Sequence, residues 1–290
     1  MALALPWEGA IGVGAVAGAL GAGLALAARP RAKAVGAFLR EAAMLLVLYG
    51  LWQLAGRVAL TGNSGALDRA AWIQDFDRHL PLPSEAGMQH LVLGYPVVVQ
   101  AANLYYAGVH FPATIAFLIW LFVRHRGEYR PVRWVLVVTT LVCLLIQFMP
   151  VAPPRMMPGM VDTGLLYGQS VYGAGLAADE LSAMPSVHMA WALLVGCYVW
   201  RIARGRWRYL GPVHAVLTAI VVVVTGNHWW LDCLAAAVVL IGSAWLVTGA
   251  RIGWRRWHGR PAPLVAAPTQ EPGVDRAGGA VRELPDEVGG

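Results

Sequence analysis

Two histidines, an aspartate, a serine and an arginine stand out in a chain that is otherwise poor in reactive groups. His228 and Asp232 lie four residues apart in "TGNHWWLDC" (225–233), one helical turn, so their side chains share a face. A carboxylate so placed accepts from one ring nitrogen, sets the tautomer and leaves the other nitrogen free as a nucleophile. Ser186 and His188 follow Pro185 in "AMPSVHMAW" (183–191), where a hydrophobic run begins. The first turn after a proline offers unpaired backbone N–H groups and the positive end of the helix dipole, and both attract an anion. His188, two residues on, is placed to hand a proton to a leaving oxygen. Arg155, in "APPR", brings a planar fork of donors that matches phosphate oxygens. A nucleophilic imidazole, a carboxylate to orient it, an acid and an anion cradle suit phosphoryl transfer through a phosphohistidine. That chemistry requires no metal and no cofactor.

The elements that must position these residues are membrane helices. The chain is 58% hydrophobic and 13% charged, with a mean hydropathy of +0.57. Soluble domains carry about a quarter of their residues as charges, so the composition excludes an ordinary soluble core. Crossing the hydrocarbon takes about 20 apolar residues per helix. On that ruler the spans fall near 10–28, 41–60, 109–123, 134–150, 186–203, 209–226 and 229–250. The expectation is an all-α polytopic membrane bundle of about seven transmembrane helices. The first apolar run lacks a basic flank before it and is read as a retained helix rather than a signal peptide. Cys143, Cys197 and Cys233 fall inside spans without a CxxC pattern and read as apolar packing residues.

Basic residues cluster at 29–40, 124–133, 201–208 and 251–260, four in each, while the opposite segments hold only Arg57, Arg69, Arg78 and Arg155. Sixteen against four is a positive-inside pattern. It predicts an outer N-terminus, a cytoplasmic C-terminus and a multi-pass protein of the plasma membrane. The clusters report topology, so no nucleic-acid partner is expected. On this topology Arg155, Ser186, His188, His228 and Asp232 all reach one depth on the extracytoplasmic face. Ionisable groups at membrane depth are costly enough to be functional candidates by default.

Four regions follow: N-terminal transmembrane helices (1–60), an outer interfacial segment (61–107), a catalytic helical core (108–258) and a disordered cytoplasmic tail (259–290). Within the second, 61–81 reads as an amphipathic helix with Leu67, Ile73, Phe76 and Leu80 opposite Asp68, Arg69, Asp75 and Asp77. Residues 90–107 are apolar but broken by Gly94 and Pro96, and read as interfacial or re-entrant; both stretches could bound a lateral entrance. The long Pro- and Gly-rich loop 151–183 is of a length that is usually functional. The Pro- and Gly-rich composition of 259–290 reads as unfolded. No spacing suits a metal, and none is expected.

Blander readings compete for each residue. His228 with Asp232 would serve as a structural ion pair if it stood alone, and Ser186 is also a natural helix N-cap. His110, at the start of a span, is equally an interfacial histidine; with Asn227 and Tyr106 it is a candidate for the surrounding substrate pocket. Tyr105, Tyr106, Trp229 and Trp230 read as aromatic-belt anchors. His79, His125, His214 and His258 receive no catalytic role. A transporter or channel would spread ionisable groups over both leaflets, whereas here the cytoplasmic halves of the spans are almost purely apolar. The enzyme is the preferred reading.

"PPR", "AMPSVHMAW" and "TGNHWWLD" resemble the three signature motifs of the PAP2 (type 2 phosphatidic acid phosphatase) superfamily. "GVHFPATIAFLIWL" and "VDTGLLYG" also look like its inositolphosphotransferase branch, which includes the fungal inositol phosphorylceramide synthases; the similarity covers roughly residues 100–250. The resemblance implies a PAP2-type core with His228 as nucleophile, Asp232 orienting it, His188 as general acid, and Arg155 and Ser186 on phosphate. Two departures from the phosphatase form stand out. No Lys precedes Arg155 in the first motif, and Val222 stands where the third motif has an Arg. With two cations missing, a dianionic monoester is held less well than a diester. The expected substrate is a membrane lipid phosphate, and a lipid alcohol is the acceptor if the head group is transferred; a plain lipid phosphatase is the alternative. Oligomeric state is not legible.

Overall fold

The structure, a computed structural model, describes residues 6–59, 65–170 and 180–257. These residues form α1 (Trp7–Ala25), α2 (Pro30–Ala59), α3 (Ala66–Asp77), α4 (Glu85–Leu93), α5 (Pro96–Gly108), α6 (His110–Arg124), α7 (Arg126–Gln147), α8 (Thr163–Leu166), α9 (Val187–Ile202), α10 (Leu210–Val224) and α11 (Trp230–Trp257), with 3₁₀ turns at Pro154–Met156 and Gly205–Tyr209. Among the described residues there is no strand, only a bridge between Val151 and Ser182. The chain divides into two compact units, Met1–Gly249 and Ala250–Gly290. Of the second unit only the last turns of α11 are described, and the tail expected to be unfolded lies outside the described residues.

Five helical stretches are long and apolar enough to cross a membrane: α1, Pro30–Leu51 of α2, α7, Gly205–Val224 and Trp230–Trp254. α5 and α6 meet at 47° and make a sixth if taken as one broken span. Five or six spans thus stand where the sequence reading has seven, for two reasons. The span expected at 109–123 reaches crossing length only together with α5. The one expected at 186–203 is α9, with 16 residues, about 24 Å long against a hydrocarbon core of about 30 Å.

α7 shows how the bundle sorts its residues. Tyr129, Val132, Leu136, Cys143 and Gln147 are buried on one face at helical spacing, while Trp134, Leu141 and Leu145 stay exposed. Gln147 at its end donates to Pro185 O (3.3 Å), and Glu128 near its start pairs with Arg201 of α9 (2.6 Å). α7 and α9 therefore run antiparallel. α10 returns along α9 at close range because Gly196 and Gly211 meet: a Cβ on Gly211 would lie 2.7 Å from Gly196 O. Thr114, Thr140, Thr218 and Thr225 return their hydroxyls to carbonyls four residues earlier, satisfied without water.

Both stripes expected of the interfacial segment are split: Ile73 of the apolar set and Asp77 of the polar set are buried, while Leu67, Phe76, Asp68 and Asp75 are exposed. In α3 the buried face is Ala66, Ala70, Ile73 and Asp77, whereas Leu67, Trp72 and Phe76 point outward. Ala70 and Ile73 pack with Val151, Ala152, Ala183 and Trp229. In a membrane protein the outer surface is itself apolar, so small and polar residues mark the inward face. Residues 61–64 of that segment lie outside the described residues.

Candidate active site

The turn between α10 and α11 is the scaffold of the site. Gly226 has φ +69°, and a Cβ there would lie 3.1 Å from Arg155 Cβ, so only glycine lets the 3₁₀ turn at Pro154–Met156 dock. Arg155 N donates to Gly226 O at 2.9 Å, which ties two sequence-distant motifs at the backbone. The buried Arg155 guanidinium then donates to Asn227 Oδ1 (2.7 Å) and pairs through Nε with Asp162 Oδ2 (3.3 Å). Asp162 also caps α8, accepting from Leu165 N.

His228 follows in the same turn, 5% exposed and outside the two flanking spans. Its Nδ1 lies 2.8 Å from Ala183 O, an atom that can only accept, so Nδ1 carries the proton. Asp232 Oδ2 is farther from Nδ1, at 3.4 Å, because that oxygen accepts first from Trp229 N at 2.8 Å. The orienting partner is thus chiefly a backbone carbonyl, with the carboxylate behind it. His228 Nε2 is buried without a hydrogen-bond partner in the structure. Burial, and after it the Arg155 charge, lowers the His228 pKa to about 4, with the Ala183 carbonyl acting in the other direction. The ring is neutral at neutral pH, with a lone pair on Nε2.

His188 comes from the first turn of α9, its ring centroid 5.7 Å from that of His228 and stacked on Tyr106 at 4.4 Å. His110 lies 4.8 Å from His188 and stacks on Trp191 at 5.5 Å; its two ring nitrogens are buried without partners in the structure. Ser186 is the N-cap of α9, its hydroxyl accepting from Met189 N. A cleft opens beside this group, lined by Asn103, Tyr106, Arg155, Asp162, Gln169 and Asn227 among others. His228, His188 and Ser186 do not line it; they stand behind Arg155, Tyr106 and Asn227.

Several residues here carried no signal in the sequence. Asn103 donates to Thr163 O and Gln169 Oε1 and accepts from Thr163 Oγ1, so α5 and α8 form one polar wall. Asp77 and Glu85 accept from the backbone of Leu231 and Trp230. Their bonding partners lie far away in the chain, and no local spacing marks either acid. Trp229, read as a belt anchor, is 1% exposed and donates to Ala152 O. Trp230 is anchored to Pro83 O.

Among the described residues no group of three or more His, Cys, Asp or Glu side chains is gathered for a metal ion. A family model described as the PAP2 superfamily matches residues 71–246. No curated protein and no solved structure matches the chain.

Proposed function

The chain belongs to the PAP2 superfamily, whose members are phosphatase-type membrane enzymes, and on that premise we propose that it transfers a phosphate-bearing head group from a membrane lipid to a lipid alcohol. The carrying observation is the charge balance of the cleft. Its one guanidinium, Arg155, is already paired with Asp162, and no other Lys or Arg lines the cleft among the described residues. Val222 is 1% exposed inside the apolar core and contributes its carbonyl, not a cation, to Asn227 N and His228 N. A cradle near neutrality favours a monoanionic diester over a dianionic monoester. The same balance supports the inositolphosphotransferase-like branch within the superfamily.

The reaction runs in two displacements. His228 Nε2 attacks phosphorus while Nδ1–H stays on Ala183 O. The bond from phosphorus to the lipid oxygen breaks, and His188 protonates that oxygen. The phosphohistidine is cationic at the ring, and Asp232 stabilises it. The acceptor hydroxyl then gives its proton to His188 and attacks phosphorus, and His228 departs neutral. Arg155 and the Ser186 end of α9 hold the phosphate oxygens throughout, and no step calls for a metal. A lipid source is supported by the exposed apolar residues beside the cleft, Leu104 of α5 and Leu165 and Leu166 of α8. The face is taken as extracytoplasmic, following the basic-residue asymmetry.

Purified protein in detergent, incubated with lipid phosphomonoesters and phosphodiesters with and without lipid alcohols, tests this by mass spectrometry. Head-group transfer that depends on the alcohol and survives EDTA supports it. Free phosphate released from monoesters regardless of acceptor overturns transfer in favour of hydrolysis, and turnover of water-soluble phosphates alone overturns the lipid assignment.

A further inference from the structure

Three acids from three elements meet the first turn of α11. Asp232 Oδ2 accepts from Trp229 N (2.8 Å), Glu85 Oε1 from Trp230 N (3.3 Å) and Asp77 Oδ2 from Leu231 N (3.3 Å). The first N–H groups of a helix have no partner within it, so each acid meets a deficit where the dipole favours negative charge. Trp230 Nε1 adds a fourth tie, to Pro83 O at 2.7 Å. The stretch from α3 to α4 therefore grips the helix start that follows His228 directly.

Asp77, Glu85 and Asp232 are 5%, 7% and 0% exposed, and three negative charges buried together repel one another. Burial, and after it the neighbouring Glu85 carboxyl, pushes the Asp77 pKa up to about 7. Among the described residues the groups that face Asp77 bring carboxyls and a thiol and no cation. Glu85 faces Asp77 from α4, and Asp232 and Cys233 from α11. On α3, Arg69 reaches to Pro150 O, and Arg78 pairs with Asp75 on the exposed side, where His79 also bonds Asp75 O. From the 3₁₀ turn, Arg155 is directed at Asn227 and Asp162.

We propose that Asp77 and Glu85 are positioning residues for the phosphoryl transfer, holding the first turn of α11 in the register that sets His228 and Asp232, and that they do so sharing one proton. When that proton leaves to solvent, the carboxylates repel each other and Asp232, and the grip on Trp230 N and Leu231 N loosens. The inference rests on the proposed role of His228 as nucleophile.

The test uses the full chain in detergent and three variants: Asp77→Ala, Asp77→Asn and Glu85→Gln. Asp77→Ala lowers kcat between about ten- and a hundredfold with KM little changed, as expected when a reacting group is displaced rather than substrate binding lost. Asp77→Asn, which keeps an acceptor for Leu231 N, restores most of that kcat. It also retains more of its activity from pH 6 to 8 than the wild type, whose kcat falls through about pH 7 with Asp77 ionisation. Glu85→Gln takes away the neighbour that raises the Asp77 pKa, so the fall moves to lower pH or disappears. Unchanged kcat in Asp77→Ala overturns the proposal, and so does a loss that Asp77→Asn neither rescues nor shifts in pH.

Should the wild type turn over no phosphate ester, the proposed function fails, and the shared proton is judged on unfolding alone. A raised folded-state pKa means that the native protein binds more protons than the unfolded chain, so stability from this group falls as pH rises from the ordinary Asp value to about 7. The melting temperature of Asp77→Asn then gains on that of the wild type over that window. A constant difference overturns the shared proton.

Discussion

At the end of the bundle where α7 begins and α9 finishes, charged groups close on one another. Arg133 donates to both oxygens of Glu41, at 2.5 and 2.6 Å, and Tyr129 donates to the same carboxylate at 3.0 Å. Arg201 meets Glu128 at 2.6 Å. At the opposite end, where α7 finishes and α9 begins, His228 Nε2 and both ring nitrogens of His110 are buried without partners in the structure. The first arrangement spends its polar groups on joining helices. The second keeps a desolvated lone pair on His228 Nε2 behind the residues that line the cleft, at a cost that a reacting ligand offsets. Open valence alone does not mark a site, since Arg133 Nε at the first end is also buried without a partner; a neutral ring nitrogen left open beside a second histidine and a buried arginine does.

The sharpest break of this contrast comes at His228. His228→Ala removes the attacking nitrogen and drops turnover by at least about 10⁴-fold, whereas His188→Ala costs about 10² to 10⁴-fold; phosphate or head-group release measures both. The wild-type pH profile reads the same lone pair. Only the neutral ring attacks, and burial has lowered its pKa to about 4, so the acid limb of kcat/KM falls near pH 4 rather than near the ordinary histidine value. A limb near 6.5 would mean that the ring is solvated.

Charge balance at the cleft is the next lever. Asp162→Asn still caps α8 but leaves the Arg155 charge uncompensated. The ratio of kcat/KM for a lipid phosphomonoester to that for a diester rises about tenfold, since about 1.4 kcal/mol is tenfold. An unchanged ratio would separate substrate choice from the Arg155–Asp162 pair.

The opposite end responds in stability and not in chemistry. Arg133→Ala strands Glu41 and Tyr129 and costs about 1–3 kcal/mol, visible as a lower melting temperature with kcat per folded enzyme retained. Arg201→Ala breaks a half-exposed pair and changes stability by less than about 1 kcal/mol. A loss of kcat in either variant would show that the two ends are coupled through α7 and α9.

The elements of the site differ in how far they were legible. His228 with Asp232, and Ser186 with His188, are local spacings on helix starts, which a linear sequence displays directly. Their expected convergence with Arg155 rested on topology, because a bundle of alternating direction returns every second connection to the same end. Asp77 and Glu85 were not legible, since their partners are 154 and 145 positions away and nothing local distinguishes a capping acid from one facing water. The inward face of α3 draws on both expected stripes, because the neighbours it packs against and not water alone choose which residues are buried.

The sequence by itself determined that the chain is helical, that its apolar surface is too large for water, and that one end of the bundle is basic while the other holds two histidines and their acid. These follow from composition and from periods of three and four residues, which are properties of neighbours in the chain. Only the tertiary structure decided which partner each of those groups has. It gave the His228 proton to Ala183 O before Asp232, paired Arg155 with Asp162, and brought Asp77 and Glu85 onto Leu231 and Trp230. The physical reason is desolvation: a buried polar atom must take whatever partner packing brings within 3 Å or so, and packing is a property of the whole bundle rather than of any stretch within it.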